Sequence, residues 1–145
     1  MANYCATSRT NYFRVIDEEK YAKLFANLVG DEDEVHDFTK VENGVTLHAF
    51  GSYGSVDYIS PLQNGDDSDD YDYDFDEFLA ELQKILPEDE AFIYIECGNE
   101  KLRYITGLSV VVTKNQIKSI DIRSGAVNLA REMLKNRNFQ TKMEY

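Results

Sequence analysis

Cysteine is scarce in this chain of 145 residues: only Cys5 and Cys97, with no Cys-x-x-Cys spacing. That excludes a disulfide scaffold and a zinc ribbon, and it makes a reduced cytoplasm the expected location. Long apolar runs are missing too. The longest, Ser109 to Thr113, is strand-sized, far short of the 18 or more residues of a membrane helix. The first residues, Met-Ala-Asn-Tyr-Cys-Ala-Thr-Ser-Arg, contain no apolar signal core, so export is not expected. Histidine is limited to His36 and His48, with no Glu-x-x-His or His-x-x-x-His arrangement, which argues against a transition-metal site. Basic residues are also few, 15 against 27 acids.

What is present points to one folded unit. The length is that of a single ordinary domain, and 43% hydrophobic residues suffice for a core. The net charge of −12 is unevenly spread. Residues 1–100 hold 24 acids and 6 bases, a net of −18, whereas residues 101–145 hold 3 acids and 9 bases, a net of +6. Such a molecule is repelled by nucleic acid and by anionic membranes over most of its surface. It is attracted to basic protein surfaces, including those that hold DNA or RNA. The basic third has an internal role as its simplest reading, offsetting the acidic remainder. Opposite-signed ends also favour a homodimer.

The periodicities predict an α+β fold with antiparallel sheets and three helices. Residues 3–15 suit one or two short strands. A helix opens at Asp17-Glu18-Glu19, with Tyr21, Leu24, Phe25 and Leu28 on one face and Gly30 as its stop. Residues 35–41 and 45–50 read as a hairpin around Glu42-Asn43-Gly44. A glycine-punctuated turn, Gly51-Ser52-Tyr53-Gly54, leads to a short strand at Val56 to Ile59. The clearest helix spans about 75–86, where Phe75, Phe78, Leu79, Leu82, Ile85 and Leu86 recur at helical spacing before Pro87. Strands are expected at Ala91–Cys97, Leu102–Ile105, Leu108–Thr113 and Ile117–Ile122, with Gly98 to Lys101 as a turn and Cys97 as a small core residue. A last helix covers about 125–136, and 138–145 is expected to fray. Residues 31–51 and 87–107 have the same length and a similar order of acidic linker, hairpin and glycine. Duplication of a helix–β-hairpin unit, over about 17–60 and 74–122, and the ordinary alternation of any α+β chain explain this equally well.

The acidic run from Asp66 to Glu77 places eight carboxylates in twelve positions: Asp66, Asp67, Asp69, Asp70, Asp72, Asp74, Asp76 and Glu77. Three readings compete. It is a solvated loop entering a helix, with Asp74 as N-cap and Asp76 and Glu77 favoured by the helix dipole. Or it mimics phosphates: in an extended segment Asp70, Asp72, Asp74 and Asp76 would share one face at about 6.6 Å spacing, and a basic groove would accept them. Tyr71, Tyr73 and Phe75 between them could pack on the domain or stack where bases would. A second cluster, Asp31, Glu32, Asp33 and Glu34 with Asp37, and a third at Glu88-Asp89-Glu90, extend the charge. In the third reading, Asp66, Ser68, Asp70, Asp72, Asp74 and Glu77 follow the oxygen spacing of a calcium loop. Against it, Tyr71 stands where that loop needs glycine, and Ser60 to Gly65 cannot be an entering helix.

No catalytic motif emerges. Cys5 as a nucleophile would need His36 or His48 beside it, and no spacing selects a carboxylate pair for acid–base work. No cofactor is implied. In size, acidity and lack of catalytic groups the chain resembles the small anti-restriction and anti-CRISPR proteins of phages and mobile elements, many of which are DNA mimics. Acidic immunity proteins that cap nuclease toxins belong to the same physical class. The resemblance implies a non-enzymatic protein that blocks a basic, nucleic-acid-binding protein site. The rival is a regulatory or housekeeping domain whose acidic loop at 66–77 is solvated or holds calcium.

Overall fold

The computed structural model describes residues 4–61 and 72–142. Among these residues there are three helices and ten strands, and every strand pair is antiparallel. The fold is therefore α+β. In chain order come β1 (Cys5–Thr10), α1 (Glu18–Ala26), β2 (Leu28–Gly30), β3 (His36–Asp37), β4 (Lys40–Glu42), β5 (Val45–Leu47), β6 (Phe50–Ser52) and β7 (Val56–Tyr58). Then follow α2 (Phe75–Gln83), β8 (Ala91–Glu100), β9 (Tyr104–Thr113), β10 (Ile117–Asp121) and α3 (Ile122–Leu134). The main sheet has the order β10-β9-β8-β1-β6-β3, and β2-β7 and β4-β5 form two small sheets. Among the described residues no helix is long and apolar enough to cross a membrane.

Strand parity decides what is buried. Phe92, Tyr94 and Val112 point to one side of the main sheet, where they join Phe13, Phe50, Tyr58, Phe78, Leu82 and Leu86 in the core. The alternation then sends Ile93, Ile95 and Cys97 to the other side. Cys97 is thus exposed rather than a core residue. Helix α2 supplies Phe78, Leu79 and Leu82, whereas α1 buries only Tyr21 and Leu24, and α3 buries nothing.

Several expected boundaries shift for local reasons. α1 stops at Ala26, because the Asn27 amide turns back to the carbonyls of Leu24 and Phe25. Leu28 and Gly30 lie in β2, so Leu28 reaches the core from a strand instead of a helix face. α2 ends at Gln83; Ile85 and Leu86 remain buried through a tight turn in which Ile85 donates to Leu82 and Leu86 to Gln83. The following Pro87 disfavours helical geometry at Leu86. Strand β8 runs on through Gly98 and Asn99 in a ten-residue ladder with β9, which moves the turn to 101–103 with Lys101 at φ 52°. The expected hairpin contracts to β4–β5, where Asn43 and Gly44 adopt φ 53° and 78°, the left-handed pair of a type I′ turn. His36 and Asp37 pair instead with Gly51 and Phe50 of β6. α3 starts at Ile122, earlier than expected, because Asp121 caps it through the amides of Arg123 and Ser124. The segment 31–51 holds β3, the β4–β5 hairpin and part of β6, while 87–107 holds β8 and part of β9.

The Tyr21 hydroxyl is buried with no hydrogen-bond partner among the described residues, and burial pushes its pKa above the usual tyrosine range. An unpaired buried hydroxyl carries its full desolvation penalty. Tyr21→Phe should therefore raise stability by about 1 kcal/mol in urea unfolding, and a loss instead would reveal an unrecognised partner.

Candidate functional site

Strand β7 organises the acidic surface. On one edge it pairs with β2, placing Gly30 beside Val56. Asp31 follows at once and is fixed by Ser55: its amide donates to the Ser55 carbonyl (3.1 Å), and the Ser55 amide donates to its Oδ1 (2.8 Å). A Cβ on Gly54 would meet the same carboxylate, which would have to shift. Two residues on, His36 Nε2 lies 2.8 Å from Asp33 Oδ2. That contact, helped by the Glu34 amide, holds the Asp33 carboxyl below the usual carboxylate range. Tyr53 is 73% exposed and meets the His36 ring edge-on. Asp31, Glu32 and Glu34 are exposed along the rim of an open cleft whose apolar lining includes Phe25, Leu28, Val29 and Val35.

The other edge of β7 takes up the chain entering α2. Ser60 donates to the Asp72 carbonyl (2.9 Å), Ile59 bridges Tyr73, and Asp74 donates to the Tyr58 carbonyl (2.8 Å). Asp72 and Asp74 thus stand two apart on extended backbone, as phosphate-like spacing requires. The row ends there. α2 begins at Phe75, so Asp76 and Glu77 belong to its first turn, and Asp74 Oδ1 caps it through the Glu77 amide (3.2 Å). Tyr73 is 54% exposed, whereas Phe75 packs on Phe78 and Tyr94. Asp66, Asp67, Ser68, Asp69 and Asp70 lie outside the described residues. Of the calcium pattern, only Asp72, Asp74 and Glu77 are described, and among the described residues no three His, Cys, Asp or Glu side chains are grouped to hold a metal.

The structure therefore brings two acidic arms to the two ends of one strand. From Ser55 to Ser60 the extended chain covers about 16 Å at the usual rise per residue. No lysine or arginine pairs with Asp31, Glu32, Asp33, Glu34, Asp74, Asp76 or Glu77 among the described residues. The bases of the acidic portion are engaged elsewhere: Arg14 with Asp89 and Glu90, Lys20 and Lys84 with Glu81, Lys23 with Glu19, and Lys40 with Glu42, while Arg9 lies over the rings of Tyr12 and Phe38. The cluster at 88–90 is thus partly neutralised by Arg14. The basic third does little of the expected offsetting: Arg103 reaches Glu100 at 3.8 Å, while Lys101, Lys114, Lys118 and Lys135 are in no ion pair among the described residues.

Neither histidine has a cysteine as a partner in these contacts. His48 is buried, with Nε2 2.6 Å from Glu18 Oε2 and Nδ1 3.2 Å from Thr39 Oγ1, and its ring lies 4.0 Å from that of Tyr21. Sequence reading missed the positioning roles of Ser55, Ser60 and His36. The Gly51–Ser55 segment signalled a turn but not which acidic arm it would hold.

No family model matches the chain, and no curated protein or solved structure is similar to it.

The lowered pKa of Asp33, and that of Glu81 beside Lys84 and Lys20, fixes a pH dependence. A carboxyl depressed in the folded state stabilises it fully above its unfolded value near pH 4, and the contribution is lost as pH falls through the folded value. Melting temperature measured from about pH 5 down to pH 2 should thus decline more gently for Asp33→Asn than for the wild type. Parallel curves would show that the His36 contact adds nothing.

Proposed function

We propose that the protein is a non-enzymatic inhibitor that occupies a basic, nucleic-acid-binding protein surface, presenting carboxylates in place of phosphates. The observation that carries this reading is the acidic charge at both ends of β7, where Asp31, Glu32, Asp33 and Glu34 on one side and Asp74, Asp76 and Glu77 on the other meet no lysine or arginine among the described residues. Protein surfaces ordinarily intersperse the two signs, whereas among the described residues Arg14, Lys20, Lys40 and Lys84 are turned to other acids, and no lysine or arginine pairs with those of the two arms. Rigid attachment adds to it. Asp31, Asp33 and Asp74 are each held by hydrogen bonds to backbone amides or to His36, so less side-chain entropy is lost on binding than with freely rotating acids. A groove built to exchange counterions for phosphates gains in the same way from fixed carboxylates. Anti-restriction, anti-CRISPR and nuclease-inhibitor proteins work within this physics.

The test is capture on the immobilised chain, followed by a salt ramp. The retained protein should be a nuclease or another nucleic-acid-binding protein, should elute early in the ramp, and should be displaced by duplex DNA. The chain itself should leave duplex DNA unretarded in a mobility-shift gel. A partner that DNA does not displace, or that resists salt, would overturn the reading.

A further inference from the structure

The segment after α3 folds back along one side of the helix and closes a cleft there. Lys135 takes a left-handed backbone, φ 56°, and turns the chain, with the Asn136 amide donating to the Arg131 carbonyl (3.0 Å). Arg123, Val127 and Arg131 recur every four residues and so share one face of α3. With Ala130 they are its only half-buried residues, and the rest of the helix is exposed. Ser124, Asn128 and Thr141 join them in lining an open cleft of about 550 Å³. A second cleft, lined in part by Lys135 and Arg137, adjoins the first across Asn128 and Arg131. Arg131 decides what this place can hold. Its Nε donates to the Phe139 carbonyl (2.9 Å) and its Nη1 to Asn128 Oδ1 (3.2 Å), and both acceptors are neutral. Although the chain has 27 acids, none of those described comes within ion-pair distance of this guanidinium. A charge drawn partly out of water is costly unless an opposite charge meets it. The two bonds orient the guanidinium and leave three of its five donors for other acceptors.

We propose that the cleft at Arg123 and Arg131 binds a small soluble molecule through its phosphate group. The donor set selects that chemistry. A guanidinium presents parallel N–H groups that match two oxygens of one anion, as a lysine cannot. The hydroxyls of Ser124 and Thr141 and the amide of Asn128 add further donors, which suits a phosphate with three oxygens to satisfy better than a carboxylate with two. The size agrees, because sites for small molecules enclose roughly 300–1,000 Å³. Charge agrees as well. The acids lining the two clefts are Asp121 and Glu132, against Arg123, Arg131, Lys135 and Arg137. Asp121 is occupied as the cap of α3, its Oδ1 accepting from the amides of Arg123 (2.8 Å) and Ser124 (3.2 Å). The cleft belongs to the part of the chain with a net charge of +6, and salt screens the acidic remainder beyond about 8 Å at physiological ionic strength. The site uses no residue of the acidic arms and goes beyond the reading drawn from them.

The test is isothermal titration of the full chain with pyrophosphate, with sodium chloride at matched ionic strength as the blank. Binding should saturate at one pyrophosphate per chain with a dissociation constant below about 1 mM. Pyrophosphate should also raise the melting temperature more than the blank does. Arg131→Gln should weaken binding by about tenfold or more, the usual worth of a hydrogen bond to a charged group. Arg131→Lys keeps the charge and loses the fork, so its loss should be smaller but measurable. Arg131 also holds the folded-back segment at Phe139, so Arg123→Gln is the second variant: it leaves that bond in place and should weaken binding too. Lys114→Gln removes an equal charge from the turn between β9 and β10, away from the cleft, and should change affinity by no more than about twofold. Vesicles containing phosphatidic acid present the same group on a surface and should not retain the chain, whose net charge of −12 is repelled by an anionic membrane. Heats equal to those of the blank, Arg131→Gln and Arg123→Gln variants that bind as the wild type does, a loss at Lys114→Gln as large as at Arg131→Gln, or retention by vesicles without binding of pyrophosphate would overturn the proposal. None of these outcomes bears on the acidic arms, whose partner is a protein.

Discussion

Phe78→Ala should cost about 3–5 kcal/mol, the largest loss of any single substitution in α2. The side chain is fully buried and sits where three parts of the core meet. Its ring centroid lies 5.9 Å from that of Phe50 on β6, 5.7 Å from Tyr58 on β7 and 6.2 Å from Phe92 on β8. It also stacks on Phe75 one turn earlier, at 5.4 Å. Truncation removes the transfer energy of the ring and leaves a cavity whose walls belong to different elements, so no single movement can close it. These walls also hold β7, the strand that carries both acidic arms. Urea unfolding is the measurement, with Val41→Ala as the control: Val41 is 70% exposed, and its change should stay within about 0.5 kcal/mol. A loss below about 1 kcal/mol at Phe78 would mean that the ring is not the anchor its burial indicates.

Phe78 was also visible in the sequence, and the reason bears on what was not. Helical periodicity is local: Phe75, Phe78, Leu79 and Leu82 declare a face within eight residues, and the structure buries three of the four. The Asn43-Gly44 turn is equally local, since positive φ at two consecutive positions has few solutions. Strand partnership is different. β1 pairs with β8 across about ninety residues of chain, and nothing in residues 5–10 names residues 94–99 as their partners. Parity follows partnership. Once Phe92 and Tyr94 are committed to the core, Cys97 must face outward, but its own neighbours in sequence read as an apolar run. The same limit applied to the site. The acidic composition was plain, and Asp74 could be named as a cap because capping is local. That Asp31 and Asp72 attach to opposite edges of one strand depends on Ser55 and Ser60, whose role exists only after β2 and the chain leading into α2 have docked on β7. The outward exposure of Ile95, Cys97 and Asn99 on β8 was hidden for a related reason. An alternating strand predicts that one face is buried and is silent on whether the other meets solvent or a second molecule.

Removing charge from the two arms should slow association with the basic partner by 10- to 1,000-fold at low salt, roughly the range of electrostatic steering. The informative variant is Glu32→Gln, Glu34→Gln, Asp76→Asn and Glu77→Gln together. These changes keep side-chain shape and hydrogen-bonding capacity while deleting four charges, and they spare the carboxylates that hold the fold. Asp31 accepts from the Ser55 amide, Asp33 faces His36, and Asp74 caps α2, so each would confuse a binding loss with a structural one. Asp76 and Glu77 lie in the first turn of α2, where loss of each charge removes a favourable dipole interaction of about 0.3–1 kcal/mol. Relief of repulsion among neighbouring acids opposes that loss, so the melting temperature should move by no more than a few degrees. Stopped-flow association at increasing salt separates steering from contact. If the arms act through their field, wild type and variant converge as screening shortens the range of the charges, because the Debye length falls from about 10 Å at 0.1 M to about 3 Å at 1 M. If the carboxylates also sit directly on arginines or lysines of the partner, a difference in dissociation rate persists at high salt. Duplex DNA keeps its own affinity for the partner, so less DNA should displace the variant than the wild type. A variant that associates and inhibits as the wild type does would reduce both arms to solvated surface, and the reading of this protein as a phosphate mimic would fall with them.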